Sequence, residues 1–273
     1  MKPNESYSQG KLSEAVALAV EEVKRAPTDA DKRSFLAELL CIAGELERAD
    51  LQLDAIAKTT PGASPGLPLM RQLVRAERAR QEFHSQGRLP EFLGKPTAAL
   101  ELALKASIAI REGRLGEAAG LLDQAEEARP KTKGRANGKA FDDLRDCDDL
   151  CAGVLEVLTS TGKFYWVPLE RVAKLALEKP ARPLDLLWRP ATISVRGGPD
   201  GRVFLPAIYA SHGLASDDLA RLGRRTDWIG AEGEPVRGVG LKSFLVGDDL
   251  LTLLELESLE TEEPQGPSGV GAA

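Results

Sequence analysis

Gly10-Lys-Leu12-Ser-Glu-Ala15, Gly44-Glu-Leu46-Glu-Arg-Ala49 and Gly113-Arg-Leu115-Gly-Glu-Ala118 are three copies of one pattern. Each is followed, twelve residues after its alanine, by a proline: Pro27, Pro61 and Pro130. The first two copies begin 34 residues apart and the third 69 residues further on, about two more periods. Glycine, an apolar residue, alanine and a closing proline at this period predict stacked pairs of antiparallel helices. The second half of the chain lacks the period, so what is specific to this protein is expected to involve that half.

Working outward, the spacing is that of tetratricopeptide repeats. Leu12, Ala15, Val16, Ala19 and Val23 step by three and four, which predicts a helix over 13–25. The residues before it are few and polar, so the array is expected to open with a half-repeat acting as a cap. Asp29 caps the next helix, 30–43, and Gly44 turns the chain into 46–58. The recurring alanines mark a close helix crossing that a larger side chain would overpack. Further helices are predicted over 67–86, 97–111 and 115–128. Arg71, Arg75, Glu77, Arg78, Arg80 and Glu82 are read as the solvated face of the 67–86 helix, with a partner-binding ridge as the alternative. Gly62-x-Ser64-x-Gly66 has the spacing of a nucleophile elbow, but no strand precedes it, and Pro65 has no N–H to donate to an oxyanion. It is read as a turn.

The 273 residues allow two domains, and 42% hydrophobic with 29% charged residues is ordinary for a globular protein. A net charge of −6 argues against nucleic-acid and anionic-membrane partners. No secretory leader or apolar membrane span is visible, and three cysteines make no disulfide framework, so a cytoplasmic location is expected.

Residues 131–140, rich in glycine, lysine and arginine, read as a linker between a helical domain (1–130) and a second domain (141–259). Asp142, Asp143, Asp146, Asp148 and Asp149 do not fit a calcium loop and are read as the start of a helix over 148–158. With only two histidines, His84 and His212, zinc ligands are scarce, so Cys147 and Cys151 are read as packing residues. Strands are predicted at 164–167, stopped by Pro168, and over 171–177. A helical connector is read at 184–190. A hairpin of 191–196 and 202–208 turns at Gly197-Gly-Pro-Asp-Gly201. A short helix capped by Ser216 and closing strands over 236–246 and 250–256 follow. From Glu260 onward a disordered tail is expected. The predicted class is α + β in two domains, tetratricopeptide-like helical repeats followed by a smaller α+β domain.

Gly162-Lys-Phe-Tyr-Trp-Val-Pro168, Asp185-Leu-Leu-Trp-Arg-Pro-Ala191, Leu205-Pro-Ala-Ile-Tyr209, Leu222-Gly-Arg-Arg-Thr-Asp-Trp228 and Gly238-Val-Gly240 follow the helical half in this order. The ordered set, over about residues 8 to 257, resembles the ImpE/TagJ family of type VI secretion accessory proteins. Two segments depart from its pattern. The family usually has Arg-Leu-Gly-Pro where this chain has Leu150-Cys-Ala-Gly153, and often Pro-Gly-Ser where this chain has Ala210-Ser-His212. Where such a segment touches a partner, altered affinity is implied. The resemblance also implies a cytoplasmic, non-enzymatic adaptor. Such an adaptor binds a helix of the small sheath subunit (TssB type) and adjusts sheath assembly or disassembly by the ClpV-type ATPase. Phe164, Tyr165, Trp166, Trp188 and Trp228 are candidate contacts because aromatic residues dominate binding hot spots; the competing reading places them in the core.

Three other readings stand beside the adaptor. One is a general scaffold for another secretion or cytoplasmic partner. One is a hydrolase in the second domain, for which Ser211 and His212 with Asp217 and Asp218 are the available constellation. The last is a nucleic-acid binder through Arg221, Arg224, Arg225 and Trp228, disfavoured by the net charge. No catalytic residue, cofactor or metal site is assigned from the sequence.

Overall fold

The computed structural model describes residues 1–59, 66–210 and 217–263. Pro61, the Gly62-x-Ser64 turn, the Ser211–His212 pair, Ser216 and the tail beyond residue 263 lie outside the described residues.

The helical half contains α1 (Pro3–Ser8), α2 (Leu12–Arg25), α3 (Ala30–Ile42), α4 (Leu46–Thr59), α5 (Leu67–Gln86), α6 (Ala98–Arg111) and α7 (Leu115–Ala128). Asp29 and Thr97 cap α3 and α6 by accepting the Lys32 and Leu100 N–H groups. The repeat glycines Gly10, Gly44 and Gly113 all have φ between +74° and +82°, which favours glycine at each helix-to-helix turn. Ala15, Ala49 and Ala118 are fully buried at the crossings. The expected half-repeat at the N-terminus is instead a short pair. Pro3 opens α1, the Glu5 carboxylate accepts the Lys2 N–H at 2.8 Å, and α1 packs on α2.

The second half is built on an eight-stranded antiparallel sheet. Its strands are β1 (Gly134–Ala136), β2 (Lys139–Phe141), β4 (Val154–Leu158), β5 (Phe164–Pro168), β6 (Val172–Leu177), β7 (Trp188–Val195), β8 (Asp200–Pro206) and β13 (Ser258–Thr261), in the order β2-β1-β13-β6-β7-β8-β4-β5. A three-stranded sheet, β12-β11-β3, joins β3 (Leu144–Asp146), β11 (Ser243–Val246) and β12 (Asp249–Thr252). The short helix α8 (Asp218–Arg221) leads into the ribbon of β9 (Thr226–Ile229) and β10 (Arg237–Gly240).

Several expectations are corrected. The 131–140 stretch is no simple linker: β1 and β2 turn at Asn137-Gly138, both with positive φ, and β1 pairs with β13. That pairing also takes Glu260 and Thr261 out of the expected tail. The 148–158 helix is a single 3-10 turn, Asp149–Cys151, followed by β4. All five β4 residues are buried, so the strand shows no alternation and its apolar run mimics a helix. The 236–246 segment is split at Leu241 and Lys242 into strands of two different sheets. Asp217, not Ser216, caps α8 among the described residues.

One face of the large sheet closes over the helices. Trp166, Trp188 and Phe204 join Leu36, Leu40, Leu73 and Phe83 in a single core, where Phe83 meets Trp166 edge-on at 4.6 Å between ring centroids. The other face packs on the three-stranded sheet through Leu155, Val167, Phe244 and Leu253. Ala49→Leu is expected to overpack the α3–α4 crossing and to cost about 1–3 kcal/mol in urea unfolding, whereas a leucine on the exposed side of α4 would be neutral.

Candidate functional site

α5 carries the unexpected chemistry. Leu73, Glu77, Arg80 and His84 are spaced by four, three and four, so they share one stripe of the helix. That stripe faces the sheet. Of the charged residues assigned to solvent, Glu77 and Arg80 are therefore buried, with 2% and 1% of their surface exposed. Arg71 and Arg78 do lie outside, paired with Asp50 and Glu82. The missed signal is the shared spacing with Leu73, which a high density of charge concealed.

The buried groups form an alternating chain of charge from α5 into the sheet. Arg80 binds Glu77 at 2.9 Å and Glu156 of β4 at 2.9 Å, and donates its remaining nitrogen to the Ile208 carbonyl at 2.8 Å. Glu156 also binds Lys242 at 2.9 Å and His84 at 2.9 Å, and Lys242 continues to Asp146 of β3 at 3.2 Å. Trp188 donates its indole N–H to Glu77, and the Tyr209 hydroxyl donates to Asp146.

Position in the chain sets each group's acidity. Burial alone would raise Glu156, but Arg80, Lys242 and the His84 hydrogen bond hold it well below the usual glutamate range. The end members have one cation each, so burial wins. Asp146 is pushed up to about 6 against the pull of Lys242, with Asp148 adding to the rise, and Glu77 is raised against Arg80. Burial lowers His84, opposed by Glu156, and raises the Cys151 thiol well above its ordinary value. Among the described residues no group of three or more His, Cys, Asp or Glu side chains is placed to hold a metal ion. The geometry is that of a joint between the two halves.

The aromatic candidates divide by burial. Phe164, Trp166 and Trp188 are at most 2% exposed and fill the helix–sheet core, so they present no surface to a partner. Trp228, on the β9–β10 ribbon, is 40% exposed. Tyr165 is half-buried and lines an apolar hollow of about 200 Å³ on the outer face of the large sheet, with Leu93, Val157, Val167, Ile193 and Val203. Gly201 also lines it: it pairs with Ile193, and a Cβ there would meet nothing within 4 Å. Beside the hollow, the β5 edge is occupied, because Glu91 donates to the Phe164 carbonyl and accepts from the Trp166 N–H.

Glu156→Ala is expected to remove the carboxylate that Arg80 and Lys242 share, leaving each buried cation one acidic partner, Glu77 and Asp146 respectively, and to cost about 3–5 kcal/mol at neutral pH, read by urea unfolding. A folded-state pKa held below the ordinary glutamate value makes this stabilisation present above the usual glutamate range and lost as pH falls toward the folded value. The difference between the two proteins should therefore shrink on acidification.

Known proteins place this architecture. The ImpE protein family model matches residues 138–260. The type VI secretion system accessory component TagJ of Pseudomonas aeruginosa is 32% identical over 96% of this chain and 92% of its own. The crystal structure of protein VPA1032 from Vibrio parahaemolyticus superimposes with a TM-score of 0.90 at 32% identity, over 95% of this chain and 97% of that one. The likeness spans both halves, and on it the chain belongs to the ImpE/TagJ family of type VI secretion accessory proteins.

Proposed function

We propose that this chain is a non-enzymatic, cytoplasmic adaptor of type VI secretion that captures a helix of the small sheath subunit (TssB type) and so modulates sheath assembly or its disassembly by the ClpV-type ATPase. The observation that carries the reading is the near full-length relationship to an accessory component of that system. The composition of the site is in keeping with it: the strongest cluster of titratable groups is buried in a joint and engaged in mutual ion pairs. No helix among the described residues is long and apolar enough to cross a membrane.

On this reading the partner helix docks away from the face that the chain's own sheet covers. The chain's own sheet already covers the face of α3 and α5 on which Leu36, Leu40, Leu73 and Phe83 lie. A helix offering apolar anchors therefore needs another apolar recess, and the hollow beside Tyr165 supplies one. The occupied β5 edge disfavours strand addition there and favours recognition through side chains. One buried aliphatic anchor is worth roughly 1.5–3 kcal/mol, so the hollow serves as an anchoring point within a larger interface.

Calorimetric titration of a peptide spanning the small subunit's N-terminal helix should show binding with a negative heat-capacity change. Gly201→Leu, which adds a branched side chain beside the hollow at a position where a Cβ meets nothing within 4 Å, should weaken that binding at least tenfold. Absence of binding to the unmutated chain would remove the helix-capture reading. Equal binding by both proteins would move the contact away from the hollow.

A further inference from the structure

The ion chain ends at Asp146, and that end connects to the surface. The Asp146 carboxylate accepts the Tyr209 hydroxyl at 2.7 Å and the Asp148 N–H at 2.9 Å, both on Oδ1. The same hydroxyl accepts the Ser243 N–H at 3.1 Å and has a second acceptor, the Ser243 carbonyl, at 3.1 Å. The Tyr209 ring meets Trp228 edge-on at 5.9 Å between centroids and presses on Gly238, where a Cβ would come within 2.3 Å of the ring. Asp148 holds the same ribbon from the other side, accepting Gly238 N–H at 2.9 Å and Arg237 Nε at 3.0 Å. One acid pair thus pins β10, and one tyrosine links that pair to an exposed tryptophan.

The charge count of the joint is uneven. Glu77, Glu156, Asp146 and Asp148 face Arg80, Lys242 and Arg237, so with His84 neutral the assembly carries one negative charge more than it has cations to match. Asp146 is where that excess is least compensated. It is fully buried, it shares its ammonium with Glu156, and its neighbour along the chain is another carboxylate. The remaining titratable groups around it, Cys147, Cys151 and Tyr209, are all held in their neutral forms.

We propose that Asp146 is a proton-binding switch for the β9–β10 ribbon: one proton taken up from solvent on Oδ1 is donated to the Tyr209 oxygen, the hydroxyl proton turns to the Ser243 carbonyl, and the altered hold on Tyr209 and Asp148 is read out at Trp228. Burial places this uptake at about 6, inside the range a cell compartment reaches, whereas a free aspartate would titrate about two units lower. The switch does not depend on which protein the chain binds.

The test uses the full chain. Trp228 emission, taken as the difference between the unmutated protein and Trp228→Phe, is followed from about pH 8 to about pH 4.5. A one-proton transition centred near 6 is expected, lost in Asp146→Asn and retained in His84→Gln. A flat trace, a transition unchanged in Asp146→Asn, or one abolished by His84→Gln would overturn the proposal. Should Asp146→Asn fail to fold, infrared difference spectra of the unmutated chain decide. A protonated-carboxyl band that grows over the same range and shifts in Tyr209→Phe supports the switch; its absence, or a band insensitive to Tyr209→Phe, refutes it.

Discussion

Glu156 is the constraint on which the two halves depend. It sits in the middle of a fully buried strand, yet it is ionised because Arg80 from one half and Lys242 from the other reach it at 2.9 Å. Neither half alone satisfies it. Without α5, β4 would carry a bare carboxylate beside a lysine; without β4, α5 would bury an arginine against Glu77 alone. Removing water from three charges is costly, and the return comes only when all of them are assembled. The apolar core around Phe83 and Trp166 supplies much of the adhesion, while the ion chain restricts the registers in which the sheet can sit on the helices.

This arrangement changes what the repeats are for. Stacked helix pairs commonly offer a concave face to a partner. Here Leu36, Leu40 and Leu73 on that array meet Trp188 and Phe204 of the same chain. The helices act as a bed for the sheet, and the surfaces left for recognition belong to the second half or to the backs of the helices. The hollow over Gly201 fits that division. Its lining includes one position in β8 with no side chain, paired with Ile193 and two residues from Val203.

The repeat pattern made the helical half legible almost to the residue, because glycine, alanine and the cap residues each have one physical reason to be where they are. The hairpins at Gly197–Gly201 and Gly247–Asp249 were legible for the same reason. The site was not. Glu77, Arg80 and His84 look like a solvated face until the opposing strand is known, and that strand, β4, hides Glu156 within an unbroken run of buried residues. Long-range pairing decides both, and no local pattern records it. The Asn137-Gly138 turn, by contrast, carried a local signal that the basic composition around it masked. Among the five aromatic candidates three are core, and only position in the sheet separates them from Tyr165 and Trp228.

One clasp ties the first two helices to the segment around α8. Arg224 donates to the Tyr7 and Ser8 carbonyls at the end of α1, and Asp218 accepts both the backbone N–H and the hydroxyl of Ser13 at the start of α2, across a separation of 205 residues. Local backbone bonds from Gln9, Gly10 and Lys11 close the end of α1, but these side-chain contacts to both helices wait for residues 218–224. Much of the chain must be synthesised before the clasp forms, so the α1–α2 pair, made well ahead of it, is among the last parts to complete its contacts.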